Sequence, residues 1–175
     1  STTGSYFILS VVAAPALIHL GVVPVAALLV VFYAACLSNI TPPVCVSAFA
    51  AAALAKADPM ETGFAALKFG FALIFLPFGF VYLPPLLLNG SPLEVIHTVI
   101  RLLFGFMALS MFLQGADFLK AGLSVSRRVL FFIAALLLLL PVPLYLNILG
   151  IGVLLLGWVP GYFAYRKELV PLSKP

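Results

Sequence analysis

Apolar residues run along this chain in long blocks, and prolines, glycines and a few charges break them up. A helix needs about 20 apolar residues to cross the hydrocarbon core of a bilayer, so block lengths and interruptions predict the elements. The first block, Tyr6 to Leu20, has about 15 residues, which is short for a full crossing and suits a re-entrant or half-crossing helix. Gly21 stops it and Pro24 starts the next. The second block, Val22 to Lys56, has about 35 residues, too many for one straight crossing at 1.5 Å per residue. The stretch Ser38-Asn39-Ile40-Thr41-Pro42-Pro43 breaks it into Pro24–Leu37 and Val44–Ala55. This predicts two half-helices with a non-helical joint near mid-membrane. The second half is rich in alanine, which allows close packing on a neighbour.

The polar connector Lys56 to Thr62 offers Asp58 as an N-cap, with Pro59 at the first helical position. A third block runs from Gly63 to Leu88, kinked at Pro77 and interrupted at Pro84-Pro85, and Asn89-Gly90-Ser91-Pro92 is a turn. The fourth block spans Leu93 to Leu119. The fifth starts after Arg127-Arg128 and breaks at Pro141-Val142-Pro143. The sixth spans Leu146 to Tyr165. Basic residues collect in cytoplasmic loops. With Lys56 inside, Asn89-Gly90 falls outside, and Lys120, Arg127 and Arg128 return inside. Two spans after Arg128 bring Arg166, Lys167 and Lys174 inside as well, whereas one span would strand them. Trp158, Tyr162 and Tyr165 fit an interfacial aromatic belt.

Composition turns these blocks into a class. Of 175 residues, 65% are hydrophobic and 8% charged, with a mean hydropathy of +1.27. So few charges could not cover a water-facing surface, which excludes a soluble globular domain and intrinsic disorder. An all-α polytopic membrane protein remains. The net charge of +4 is spread between the apolar runs, which gives nucleic-acid binding no support. Cys36 and Cys45 lack His or Cys partners at metal-ligand spacing and read as small buried hydrophobes. The opening Ser1-Thr2-Thr3-Gly4 has no Met and no basic n-region, and is expected to be an internal stretch of a longer polypeptide. There is no H-E-x-x-H, no G-x-S-x-G, no mid-span pair of aspartates and no Walker loop, so an enzyme is not expected.

The joint at 38–43 is where chemistry is expected. Non-helical backbone at membrane depth is tolerated only where it is buried in protein or lines a cavity. Pro42 and Pro43 remove two donors, so preceding carbonyls lose partners. Those carbonyls, with the side-chain oxygens of Ser38, Asn39 and Thr41, suit a hard cation such as sodium. Broken helices of this kind build ion and substrate sites in secondary transporters. The start of the second half-helix, near Val44 to Val46, offers free N–H groups to an anionic substrate. A proline kink that merely shapes the helix is the alternative. Among ionisable residues, His19, Lys68, Glu94, His97, Arg101 and Asp117 sit in or near spans. Arg101 is the deepest, with Glu94 and His97 within two turns on a similar face, and anchoring is the expected role. Gly157 and Gly161 form a small-xxx-small packing pair.

The run Phe32 to Val44, with Ile40-Thr41-Pro42-Pro43-Val44 at its end, is followed by Ala48-Phe49-Ala50-Ala51-Ala52 and by Ala57-Asp58-Pro59-Met60-Glu61-Thr62-Gly63. Together they resemble the large membrane subunit of the tripartite ATP-independent periplasmic (TRAP) transporters, and among these the TAXI-type fused permeases. Phe78-Gly79-Phe80-Val81-Tyr82 with Pro84, Thr2-Thr3 with Tyr6, and Ala14-Pro15-Ala16-Leu17 with Leu20-Gly21 are similar to further stretches of that family, so residues 1–88 carry most of the resemblance.

The resemblance implies the C-terminal half of a sodium-coupled, elevator-type permease built from inverted repeats. A re-entrant hairpin arm would occupy 1–20 and a discontinuous helix 22–56, both within a transport-domain part at 1–62. A transmembrane helix and outer turn would follow at 63–92, then additional helices and a tail at 93–175. The implied sodium ligands are Thr2, Thr3, Ser38, Asn39 and Thr41. Substrate would bind beside them, at Thr3, Asn39, Thr41, Pro42 and Pro43. The implied partners are the N-terminal half of the same permease, a small four-helix subunit fused upstream in the TAXI-type pattern, and a periplasmic binding protein that delivers an organic acid. The implied location is the bacterial inner membrane, and sodium as coupling ion is the only cofactor. Two other classes compete: a non-transporting structural or assembly subunit, and an intramembrane enzyme using Glu94, His97 or Asp117.

Overall fold

A computed structural model describes residues 2–116 and 122–169, with the backbone alone for 160–169. Asp117, Leu119, Lys120 and Lys174 lie outside the described residues, as do the side chains of Tyr162, Tyr165, Arg166 and Lys167. The described residues form helices joined by short turns. Among the described residues, three segments are long and apolar enough to cross a membrane: Thr2–His19, Pro59–Tyr82 and Pro92–Gln114. The chain divides into two compact units, Ser1–Val95 and Ile96–Pro175.

In the first unit, α1 (Thr2–His19) and α2 (Pro24–Leu37) pack together as a hairpin. Its turn uses Gly21 at φ +91°, a left-handed conformation that costs a glycine little, and Pro24 opens α2. The interface is built on Ala14, Ala27 and Val31, with Tyr6, Leu9, Ala13, Leu17 and Val22 packed around them. Small residues on both sides let the helices approach closely. The sequence pattern starts the first helix at Tyr6. In the structure it takes in Thr2–Ser5 as well, and its 18 residues rise about 27 Å, close to a full crossing.

The joint separates α2 from α3 (Val46–Ala55), as the prolines predict. α3 packs against α4 (Pro59–Phe69). Asp58 caps α4 by accepting from the Glu61 N–H at 2.9 Å, with Pro59 in the first turn. Pro77, where the pattern places a kink, lies inside α5 (Ala72–Tyr82), and a break that the pattern does not place separates α4 from α5 at Gly70-Phe71. A Cβ on Gly70 would meet the end of the Ile40 side chain, which would have to shift. A 3-10 turn at Pro84–Leu87 follows, where the sequence places an interruption.

α6 (Pro92–Gln114) opens with a capping box: Ser91 N–H donates to Glu94 Oε2 at 2.8 Å, and Glu94 N–H to Ser91 Oγ at 3.3 Å. Its buried stripe Thr98, Arg101, Leu102, Gly105, Ala108 and Leu109 repeats every three or four residues, the period of a helix face. α7 (Val125–Leu139) and α8 (Leu144–Leu169) form the second unit's hairpin, turning at Pro141–Pro143. Glycines receive α7's side chains. Gly150 faces Leu137 and Leu138, and Gly157 faces Phe131. Gly161, the expected packing partner of Gly157, lies where the backbone alone is described.

Candidate functional site

The joint begins where α2 runs out of regular hydrogen bonds. Asn39 N–H bonds to Cys36 O at 3.2 Å and Ile40 N–H to Leu37 O at 3.0 Å, a tightened final turn. Pro42 and Pro43 have no N–H, so the carbonyls of Ser38 and Asn39 lose the donors that a continuing helix would supply, and no described group donates to them. The Pro42-Pro43 peptide bond is cis.

The joint's side chains divide their work. Ser38 Oγ donates back to Ala35 O at 2.7 Å, and Thr41 Oγ1 to Leu37 O at 2.8 Å. These two hydroxyls satisfy α2's last carbonyls and keep their lone pairs as acceptors. Asn39 turns outward, and its Nδ2 donates to Thr2 Oγ1 at 2.7 Å, a contact across 37 positions of sequence. Nδ2 also lies 3.4 Å from Cys36 O. Of the five expected ligands, Thr2 and Asn39 therefore meet directly. Ser38 and Thr41 lie within two residues of Asn39, bonded to the backbone of α2. Thr3 is exposed beside Thr2 in the first turn of α1. Among the expected substrate contacts, Pro42 is half-buried and Pro43 exposed.

A groove of about 590 Å³ runs along the α1–α2 hairpin from this contact. Thr2 and Thr3 supply hydroxyls, and Tyr6, Leu28, Leu29 and Phe32 supply apolar wall. Tyr6 and Phe32 meet edge to face, with ring centroids 5.9 Å apart. The groups that meet at the joint are neutral oxygens and amides. No group of three His, Cys, Asp or Glu able to hold a transition metal occurs among the described residues. Neutral oxygens suit an alkali cation better than a transition metal. No side chain caps the start of α3.

Two glycines outside the expected ligand set lie against side chains of the joint. A Cβ on Gly63 of α4 would lie 2.9 Å from Cys45 Sγ and 3.0 Å from Pro42 Cγ, and Gly70 seats against Ile40. Cys45 is fully buried, as expected, while Cys36 is only partly covered. The signal for Gly63 was present, in the Thr62-Gly63 that closes the Ala57–Gly63 motif.

The ionisable residues in or near spans separate. Glu94 belongs to the capping box and His97 is exposed, whereas Arg101 is buried. Arg128, near the start of α7, donates Nε and Nη2 to Phe112 O at 3.2 and 3.0 Å, satisfying a carbonyl at α6's end. Arg127 donates Nε to Gly157 O at 2.9 Å. Charge counting gave these arginines a side of the membrane. That Arg128 caps α6 and Arg127 bonds a carbonyl within α8 is visible only in the fold.

A helix broken at 38–43, whose first half pairs with α1, lies in a chain of apolar helices long enough to cross a membrane, the class of a multi-pass membrane protein. The family model described as the DctM component of the tripartite ATP-independent periplasmic transporters matches residues 1–88, and the chain belongs to that family. No curated protein and no solved structure matches.

Proposed function

We propose that this chain is the sodium-coupled part of a TRAP permease that imports a small organic acid across the bacterial inner membrane. The acid is delivered by a periplasmic binding protein, and the chain works with a small four-helix subunit and the N-terminal half of the same permease. The observation that carries the reading is the 2.7 Å bond from Asn39 to Thr2, which brings the first turn of α1 to the joint whose carbonyls lack donors. Sodium needs several oxygen ligands, and Thr2, Thr3, Ser38, Asn39 and Thr41 supply hydroxyl, amide and carbonyl oxygens of that kind. An ion held by both sides favours the arrangement in which α1 and the joint are closed, and substrate beside it benefits from the same closure. Each ligand then shifts the population toward one state.

Thermal unfolding of the intact permease in detergent tests this, with sodium titrated against potassium at constant ionic strength. A ligand that binds only the folded state adds about 2.7 kcal/mol at a hundred times its dissociation constant. Sodium should raise the melting temperature, and Asn39→Ala and Thr41→Ala should each reduce that rise. A well-folded permease with no sodium-specific rise would leave residues 38–43 as a structural kink and favour an assembly role.

A further inference from the structure

Arg101 sits nine residues into α6, about 13.5 Å along the axis from Pro92, and is 5% exposed. Asn147 of α8, at 2% exposed, faces it. With its amide oriented to satisfy both ends, Asn147 accepts from Arg101 Nη1 at 3.1 Å and donates to Leu137 O at 3.0 Å. Leu137 O is free to accept because Pro141, four residues on, has no N–H. Arg101 is thus tied through Asn147 to the C-terminal end of α7, whose partial negative charge favours a cation.

One edge of the guanidinium remains. Arg101 Nε and Nη2 are buried and have no hydrogen-bond partner among the described residues. No described carboxylate pairs with them, since Glu94 is occupied at the capping box. Guanidinium does not lose its proton in proteins, and an unpaired ion in a low-dielectric interior costs several kcal/mol. Helix dipole and one amide do not offset that. Nε and Nη2 present two parallel N–H donors, the fork that matches a carboxylate or phosphate oxyanion.

We infer that the Nε/Nη2 edge of Arg101 is an oxyanion site of the second unit, beside the α7–α8 turn. Binding there breaks no existing hydrogen bond. Both donors are enclosed among the described residues, so an anion must enter past the short α7–α8 hairpin. α7 has 15 residues, about 22 Å of helix, against a hydrocarbon core of about 30 Å. With Arg127 and Arg128 at one membrane face, the turn at 140–143 stops short of the other. The oxyanion has two sources: the headgroup phosphate of an anionic lipid drawn down over the turn, or a carboxylate solute.

The test uses the intact permease in detergent, by native mass spectrometry and thermal unfolding, with phosphatidylglycerol, phosphatidylcholine, succinate and inorganic phosphate as probes. The wild type should bind phosphatidylglycerol, or succinate and phosphate, at least tenfold more tightly than phosphatidylcholine. Retention of phosphatidylglycerol alone identifies a lipid, and succinate or phosphate binding a soluble anion. Arg101→Lys keeps the charge but loses the fork, and should weaken binding about tenfold. Asn147→Asp gives Arg101 a carboxylate of its own. It also removes the donor to Leu137 O, so the probes and not the melting temperature alone read it: it should lose the response to them. A purely structural clasp leaves no response to lose. The inference is overturned if the wild type shows no preference for any anionic probe, or if Asn147→Asp responds as the wild type does.

Discussion

Gly63 shows how much a single missing side chain decides. The place of its absent methyl is held by Cys45 Sγ and Pro42 Cγ at 2.9 and 3.0 Å. Both belong to packed elements with little freedom to give way, and overpacking of this kind costs about 1–3 kcal/mol. Gly63→Ala should therefore lower the melting temperature of the permease. Gly152 is the contrast: a Cβ there meets nothing within 4 Å, so Gly152→Ala should raise it, by up to about 1 kcal/mol of helix propensity. Thermal unfolding of both variants in detergent checks the pair, and equal shifts would mean that close packing is not what holds Gly63. At this scale the sequence was legible in part. Asn39 stood out because a polar amide in a break between two apolar half-helices needs a reason. Its partner Thr2 entered through the family resemblance and not through the pattern, since a contact across 37 positions depends on how α1 and α2 pair.

The element boundaries followed the punctuation closely wherever proline or an N-cap set them. Pro24, Asp58-Pro59, Pro84-Pro85 and Pro141–Pro143 each fall where a helix starts or stops. The break at Gly70-Phe71 did not, because its one local signal, the glycine at the end of α4, lies inside a continuous apolar run and was not read as a stop. The caps carry testable energies. Asp58→Ala removes the acceptor for Glu61 N–H and should cost about 1 kcal/mol, whereas Asp58→Asn should keep most of it. Glu94→Ala should weaken the start of α6 in the same way, and Glu94→Gln, which still closes the capping box, should not. Amide hydrogen exchange in the first turns of α4 and α6 reads both effects locally. A uniform change across the molecule would instead mean that these caps are coupled to global unfolding.

For the whole molecule, the family match over residues 1–88 and the two units divide the chain in a consistent way. The first unit contains the joint, and the second contains the buried arginine and its short hairpin. Charge asymmetry predicts the topology. Because Pro59–Tyr82 is long and apolar enough to cross, Ala57 and Asn89 should lie on opposite sides of the membrane. In right-side-out vesicles, Asn89→Cys should react with a membrane-impermeant maleimide and Ala57→Cys should react only after lysis; the reverse pattern would invert the orientation. The second unit was legible as spans but not as chemistry, since nothing along the sequence says that Asn147 faces Arg101. The two prolines of the joint have a last consequence, in vibrational terms. A carbonyl with no donor keeps a stiffer C=O bond and absorbs at higher infrared frequency than its bonded neighbours. Isotope labelling of the Ser38 or Asn39 carbonyl would give the joint a band of its own, displaced whenever an ion or a donor reaches those oxygens.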